Sequence, residues 1–183
     1  MLNKLPIMFE CSRIFSLPMT IMSWLVIFVY SLTVAGNVAY GVLALIGVCL
    51  VHLATNVLDD YFDYKTLIKQ VNFDKKEYLK NSQKTKCRYL ISGLIKEREI
   101  FYWAGSYLFI AALIGIFFYF KCGIGVLYYA LIGGIIAISY SFLSKIRLSE
   151  VVIAIAYGPA LFGGVYYVMT KTYSWEVFVL SIP

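Results

Sequence analysis

The stretch Ile14–Leu58, IFSLPMTIMSWLVIFVYSLTVAGNVAYGVLALIGVCLVHLATNVL, runs for 45 residues without an Asp, Glu, Lys or Arg. At ~1.5 Å per residue it makes roughly 68 Å of helix, enough for two crossings of a ~30 Å hydrocarbon core. Near its middle, Ala35-Gly36-Asn37 has the residue types of a turn. The stretch therefore reads as two membrane spans, from about Pro18 to Val34 and from about Ala39 to Asp60.

Three further uncharged runs follow, Ile100–Phe120, Cys122–Ser144 and Val151–Thr170, each long enough to span once. A sixth span begins near Ser174, but Pro183 comes too soon for it to cross. The expected architecture is an all-α, polytopic transmembrane bundle of five full spans plus the start of a sixth. Residues 1–183 form one membrane domain, expected to be C-terminally incomplete, with a polar segment over residues 59–98. The composition agrees. Hydrophobic residues make up 61% of the 183 and charged residues 14%, with a mean hydropathy of +0.79. A soluble domain of this size cannot hide so much apolar surface, and a disordered chain is poor in aromatics and rich in charge.

The net charge of +6 does not point to nucleic acid, because 17 of the 26 charged residues lie between Asp59 and Glu99. Alternate sides of the membrane divide the basic residues unevenly. Lys4, Arg13, the ten in residues 61–98, Lys145 and Arg147 make 14 on one side, against Lys121 and Lys171 on the other. An excess of Lys and Arg marks the cytoplasmic face. The expectation is a multi-pass cell-membrane protein whose N-terminus and polar segment are cytoplasmic. Cys11, Cys49, Cys87 and Cys122 have no paired spacing, so neither a zinc site nor a disulfide framework is indicated.

The chemistry concentrates where the second span meets the polar segment, in His52-Leu-Ala-Thr-Asn-Val-Leu-Asp-Asp-Tyr-Phe-Asp-Tyr-Lys65. At ~100° per residue, Asn56, Asp59, Asp60 and Asp63 fall within an arc of about 100°. His52 shares that stripe, either lining a cavity or hydrogen-bonded inside the bundle. Three carboxylates on one face repel each other in a low-dielectric setting, and a bound divalent cation offsets that repulsion. Carboxylate and amide oxygens are hard donors, suited to Mg2+ that also holds substrate phosphates. A plain solvated helix end is the competing account. The pairs Gly133-Gly134 and Gly163-Gly164 are expected to permit close helix packing.

These residues resemble a family. NVLDDYFDYK followed by CRYLISGLIKERE is similar to the Asp-rich segment and the R-x-L-x-S-G lead into helix three of the UbiA superfamily of intramembrane prenyltransferases. The likeness is to its menaquinone-type, 1,4-dihydroxy-2-naphthoate branch. RIFSLPMTI at Arg13–Ile21 resembles the family's opening R-P-x-S-L-P, and YSFLSKIRLSE with YGPALFGGVYYV resembles its fourth-to-fifth helix junction. The resemblance implies the first part of a nine-helix bundle in which Mg2+ on two Asp-rich segments binds a prenyl diphosphate beside an aromatic acceptor. It assigns metal binding to Asp60 and Asp63, with Asp59 in the family's Asn position, and assigns catalysis to Asp60 and Asp63. Asn56, Lys65, Arg88, Tyr140, Lys145 and Arg147 become candidates for binding substrate. The family's further acid falls on Leu67 or Lys69 here, which leaves Asp74 as the substitute. The second Asp-rich segment would follow helix six, so a complementing C-terminal half is an expected partner.

Competing classes fit less well. A transporter needs ionisable groups near mid-span, and these spans offer only His52. A phosphatidyl-alcohol transferase would carry D-G-x-x-A-R, which is absent. A non-catalytic or truncated membrane protein that keeps only the first half of the fold is the alternative.

Overall fold

The structure, a computed structural model, describes residues 4–71, 73–81, 87–143 and 149–182. Among these residues the regular structure is all helical. α1 (Leu5–Cys11) and a 3-10 turn (Ile14–Ser16) lead into α2 (Leu17–Thr33), whose first turn accommodates Pro18 because the amide it lacks has no partner there. α3 (Val38–Leu67) starts at Asn37, whose side chain accepts from the Tyr40 amide at 3.0 Å. This is the turn expected at Ala35-Gly36-Asn37, with Ala35 in the left-handed region at φ 59°. α4 (Lys75–Lys80) and α5 (Arg88–Ser92) are short helices of the polar segment, and Gly93 ends α5 at φ 83°.

α6 (Glu97–Cys122) begins with the Glu99 carboxylate accepting from the Lys96 amide at 2.7 Å. α7 (Gly125–Leu143), α8 (Ser149–Ile155) and α9 (Leu161–Thr170) follow. α10 (Trp175–Leu180) is capped by Ser174, which matches the expected start of a sixth helix.

Among the described residues four stretches are long and apolar enough to cross a membrane: Leu5–Thr33, Val38–Leu67, Glu97–Cys122 and Glu150–Thr170. Gly125–Tyr140 is a shorter apolar helix. α3 runs along α6, and α9 packs against α2, α3 and α7. Much of the outer surface is apolar. Phe109 is 65% exposed and Phe120 78% exposed. In lipid such surface needs no cover, and contacts between helices come from close fit instead. The chain is an all-α membrane helix bundle.

Two cores hold it. The larger one gathers Trp24, Ile27, Phe118, Phe162, Val165 and Met169 where α9 meets its neighbours. The smaller one joins Met8, Val57, Leu90, Ile95 and Ile100 at the end of the bundle that carries the acids. That core fixes α1 and α5 over the start of α6 and so places the expected basic and acidic groups at one end.

The run Val151–Thr170 is not one uniform helix. A π-helical segment, Ala156–Ala160, separates α8 from α9, with Gly158 at φ −90° and ψ −108° and Pro159 inside it. Proline has no amide to donate and its ring collides with the carbonyl four residues back, so the helix must open a turn. Gly158 also lies where a Cβ would come 2.6 Å from the Ser181 carbonyl oxygen.

The two glycine pairs behave differently. A Cβ at Gly163 would come 2.5 Å from the Tyr129 ring, so close packing of α7 on α9 depends on its absence. Cβ atoms at Gly133 and Gly134 would meet no described atom within 4 Å. The reason is that α7 turns those two positions away from its described neighbours.

Candidate active site

α3 continues past the expected end of its span to Leu67, so Asn56, Asp59, Asp60 and Asp63 all stand on one uninterrupted helix. Asp59 is 2% exposed and Asp60 7% exposed. Among the described residues Arg13 faces them, from the break between α1 and the 3-10 turn. Its guanidinium forms an ion pair with Asp60 and lies 3.5 Å from an Asp59 carboxylate oxygen. Burying two acids is tolerable only with such compensation, and removing one member of a buried pair typically costs about 3–5 kcal/mol.

The backbone around Arg13 is held by α3 itself. Asn56 donates through Nδ2 to the Ser12 carbonyl at 3.1 Å and to the Ser16 hydroxyl at 3.2 Å. The Ser16 hydroxyl donates to the Arg13 carbonyl at 2.7 Å. One turn earlier on α3, His52 Nε2 lies 2.8 Å from Ser16 Oγ, while Nδ1 lies 2.5 Å from Thr20 Oγ1 and 2.8 Å from the Tyr157 hydroxyl. Of the two readings of His52, the structure selects the hydrogen-bonded interior histidine. It ties α2, α3 and the π-helical segment together.

His52→Leu leaves the three hydroxyls to re-pair in an apolar interior. It is expected to lower stability by about 2 kcal/mol, read as thermal unfolding in detergent, whereas His52→Gln, which retains a donor and an acceptor, is expected to recover part of the loss.

The polar segment closes over the same end. The Cys87 thiol donates to the Asp60 carbonyl at 3.0 Å, and Cys87 is buried. Tyr89, on α5, reaches the Glu10 carboxylate. Burial first, then the hydrogen bond to Glu10 and its negative charge, push the Tyr89 phenol up to about 12. Lys4 reaches Glu99 at 2.7 Å.

The remaining expected site residues divide. Tyr140 is half-buried and close enough to Arg13 and Tyr157 to interact electrostatically with both. Asp63 is half-buried on the acidic face. Lys65 pairs with Glu97 at 2.7 Å. Arg88 donates to the backbone carbonyls of Leu79 at 2.6 Å and Asn81 at 3.3 Å. Asp74 is exposed and caps α4, accepting from the amides of Lys76 at 2.7 Å and Glu77 at 3.2 Å. Its carboxylate is thus engaged by the first turn of α4. Lys145 and Arg147 lie outside the described residues.

Arg13, Ser12, Ser16, Tyr157 and Cys87 are the site residues that sequence reasoning did not single out. A signal for Arg13 was present, because it is the last charge before the 45-residue run and precedes the acids by about one span in each direction.

As donors, Asp59, Asp60, Asp63 and Asn56 suit a hard divalent cation. Among the described residues no three His, Cys, Asp or Glu side chains converge to hold one. The acids share a face, and among the described residues Arg13 forms ion pairs with Asp59 and Asp60.

The comparisons address the whole chain. Neither a curated protein nor a solved structure matches it. The model of the UbiA prenyltransferase family matches residues 16–183, which include the acidic face, the His52 network and the π-helical segment. Enzymes of that family typically pair a divalent metal with a prenyl diphosphate. An all-helical membrane bundle with a buried acidic pair at one end, matched over nearly its full length, belongs to the UbiA prenyltransferase family.

Proposed function

We propose that the chain transfers a polyprenyl group from a prenyl diphosphate to an aromatic acceptor in quinone biosynthesis, with Mg2+ as cofactor. The favoured acceptor is 1,4-dihydroxy-2-naphthoate, as in the menaquinone branch. The observation that carries this reading is the family match across the acidic face. In the reaction the allylic C–O bond breaks with its electron pair leaving on the diphosphate, and a ring carbon of the acceptor bonds to the allylic carbon. That ring carbon then releases its proton (or CO2, where it carries the carboxylate) to restore the aromatic ring.

Asp60 and Asp63, with Asp59, hold the cation in this reading. Asp74, assigned to the same set by resemblance, would have to leave its capping position to join. Bound Mg2+ supplies charge stabilisation at the leaving group. Lys65 and Arg88 would leave Glu97 and the backbone carbonyls of Leu79 and Asn81 to bind the diphosphate. Asn56 contributes to substrate binding from the acidic face, and Tyr140, Lys145 and Arg147 close the site from the next cytoplasmic loop. The acidic end faces the cytoplasm, supported by the count of 14 basic residues against 2.

Isolated membranes carrying the chain provide the test. With dihydroxynaphthoate or hydroxybenzoate, each offered several prenyl diphosphates, the expected result is Mg2+-dependent transfer that favours dihydroxynaphthoate and stops with chelator. Transfer only to hydroxybenzoate moves the acceptor assignment. No transfer to either, with the chain folded and inserted, favours the non-catalytic alternative or a need for a complementing C-terminal half.

A further inference from the structure

We propose that Arg13 is a built-in counter-ion that competes with a divalent cation for Asp59 and Asp60, so that it must withdraw before the cation binds. The inference rests on the reading of the acidic face as a cation site, and adds an occupant that site must release. Three features carry it. The Arg13 guanidinium pairs with Asp60 and sits 3.5 Å from Asp59, so it faces the oxygens a cation would use. A guanidinium and a dication held against the same two carboxylates repel each other across a poorly screened interior.

The second feature is the backbone. Arg13 lies in the left-handed region, at φ 52° and ψ 52°, where an L-residue with a bulky side chain is strained. Such a conformation persists only where its surroundings over-determine it.

The third feature is what over-determines it. Ser12 is fully buried and donates to the Met8 carbonyl at 2.7 Å. Asn56 and His52, both on α3, reach Ser12 and Ser16 on either side of Arg13. The helix that carries the acids thus also grips the hinge that aims Arg13 at them. A side chain held by its backbone on both flanks can swing its guanidinium without unfolding α2 or α3. That is what a displaceable counter-ion requires.

The test is Mn2+ binding to the purified full chain in detergent, read by the EPR signal of free Mn2+, with Mn2+-dependent thermal stability as a second readout. Neither readout involves turnover. Arg13→Gln is expected to bind Mn2+ about tenfold more tightly than the wild type and to gain more thermal stability from it. Arg13→Lys, a point charge without the planar fork, is expected to fall between the two and guards against a Gln variant that fails to fold.

Asp60→Asn and Asp63→Asn should weaken binding in either background. If binding depends on these acids but is unchanged or weaker in both Arg13 variants, the competition is overturned while the cation reading stands. If binding is absent or independent of the acids in every variant, the cation reading falls and takes this inference with it.

Discussion

Asp60→Asn is expected to lower the proposed Mg2+-dependent prenyl transfer by about 10³-fold, with membrane insertion and helix content at the wild-type level. The substitution keeps the size and one hydrogen-bonding oxygen of the side chain and removes its charge. Asp60 is nearly buried and paired with Arg13, so the charge lost is one that bulk water does not replace. Arg13 stays next to Asp59, so the variant is expected to fold, with a lower unfolding temperature from the lost half of the pair. Asp63→Asn is expected to abolish transfer as well, while sparing the Arg13 pair.

The measurement is turnover in isolated membranes beside circular dichroism of the purified protein. Activity within a few-fold of wild type in both variants would remove the acids from the chemistry. Lys65→Ala makes a useful contrast. Lys65 pairs at the surface with Glu97, where solvent screens the interaction and it adds little to stability. Any large loss of activity in Lys65→Ala would therefore reflect substrate binding rather than folding.

Gly163→Leu is expected to destabilise the bundle by about 3 kcal/mol, and Gly134→Leu to leave it unchanged within about 0.5 kcal/mol. Even a single Cβ at Gly163 would intrude on the Tyr129 ring, and Tyr129 is itself packed against Tyr167 and Tyr173, with ring centroids 6.1 Å and 6.5 Å away. A Leu at Gly163 therefore has to push the Tyr129 ring out of its place beside Tyr167 and Tyr173 or part α7 from α9. Where helices associate through close fit rather than through water exclusion, that gap is not recovered elsewhere. Thermal unfolding of both variants in one detergent decides it. Equal midpoints for the two would show that α7 and α9 do not pack through Gly163.

The helix ends show how far local chemistry reaches. Asn37, Ser174 and Gly93 sit at boundaries because each satisfies or relieves backbone groups through its own side chain or its lack of one. Those effects span a few residues and are visible in the string of letters. The π-helical segment at Tyr157-Gly158-Pro159 carries an equally local signal, a Gly-Pro pair. It was outweighed by the long apolar run around it, since hydropathy over a span says nothing about how a helix bends within it.

The acidic face illustrates the same limit. Period and spacing alone place Asn56, Asp59, Asp60 and Asp63 on one side of one helix, because a helix repeats at a constant angle whatever surrounds it. They do not tell which charge answers those acids. Lys65 and Arg88 are near in sequence, yet one is taken up by Glu97 and the other by backbone carbonyls. Arg13, 47 residues from Asp60, pairs with Asp59 and Asp60.

What the sequence by itself determined is the membrane as solvent, the helical class and the face on which the acids stand. These follow from hydropathy summed over some twenty residues and from the constant geometry of the helix. Only the tertiary structure decided that Arg13 occupies Asp59 and Asp60, that His52 is a structural hub and that Gly163 rather than Gly134 is a packing site. Each of those depends on which helix lies beside which and at what rotation. That choice is made by side-chain fit between distant segments, and no periodicity within a single segment encodes it.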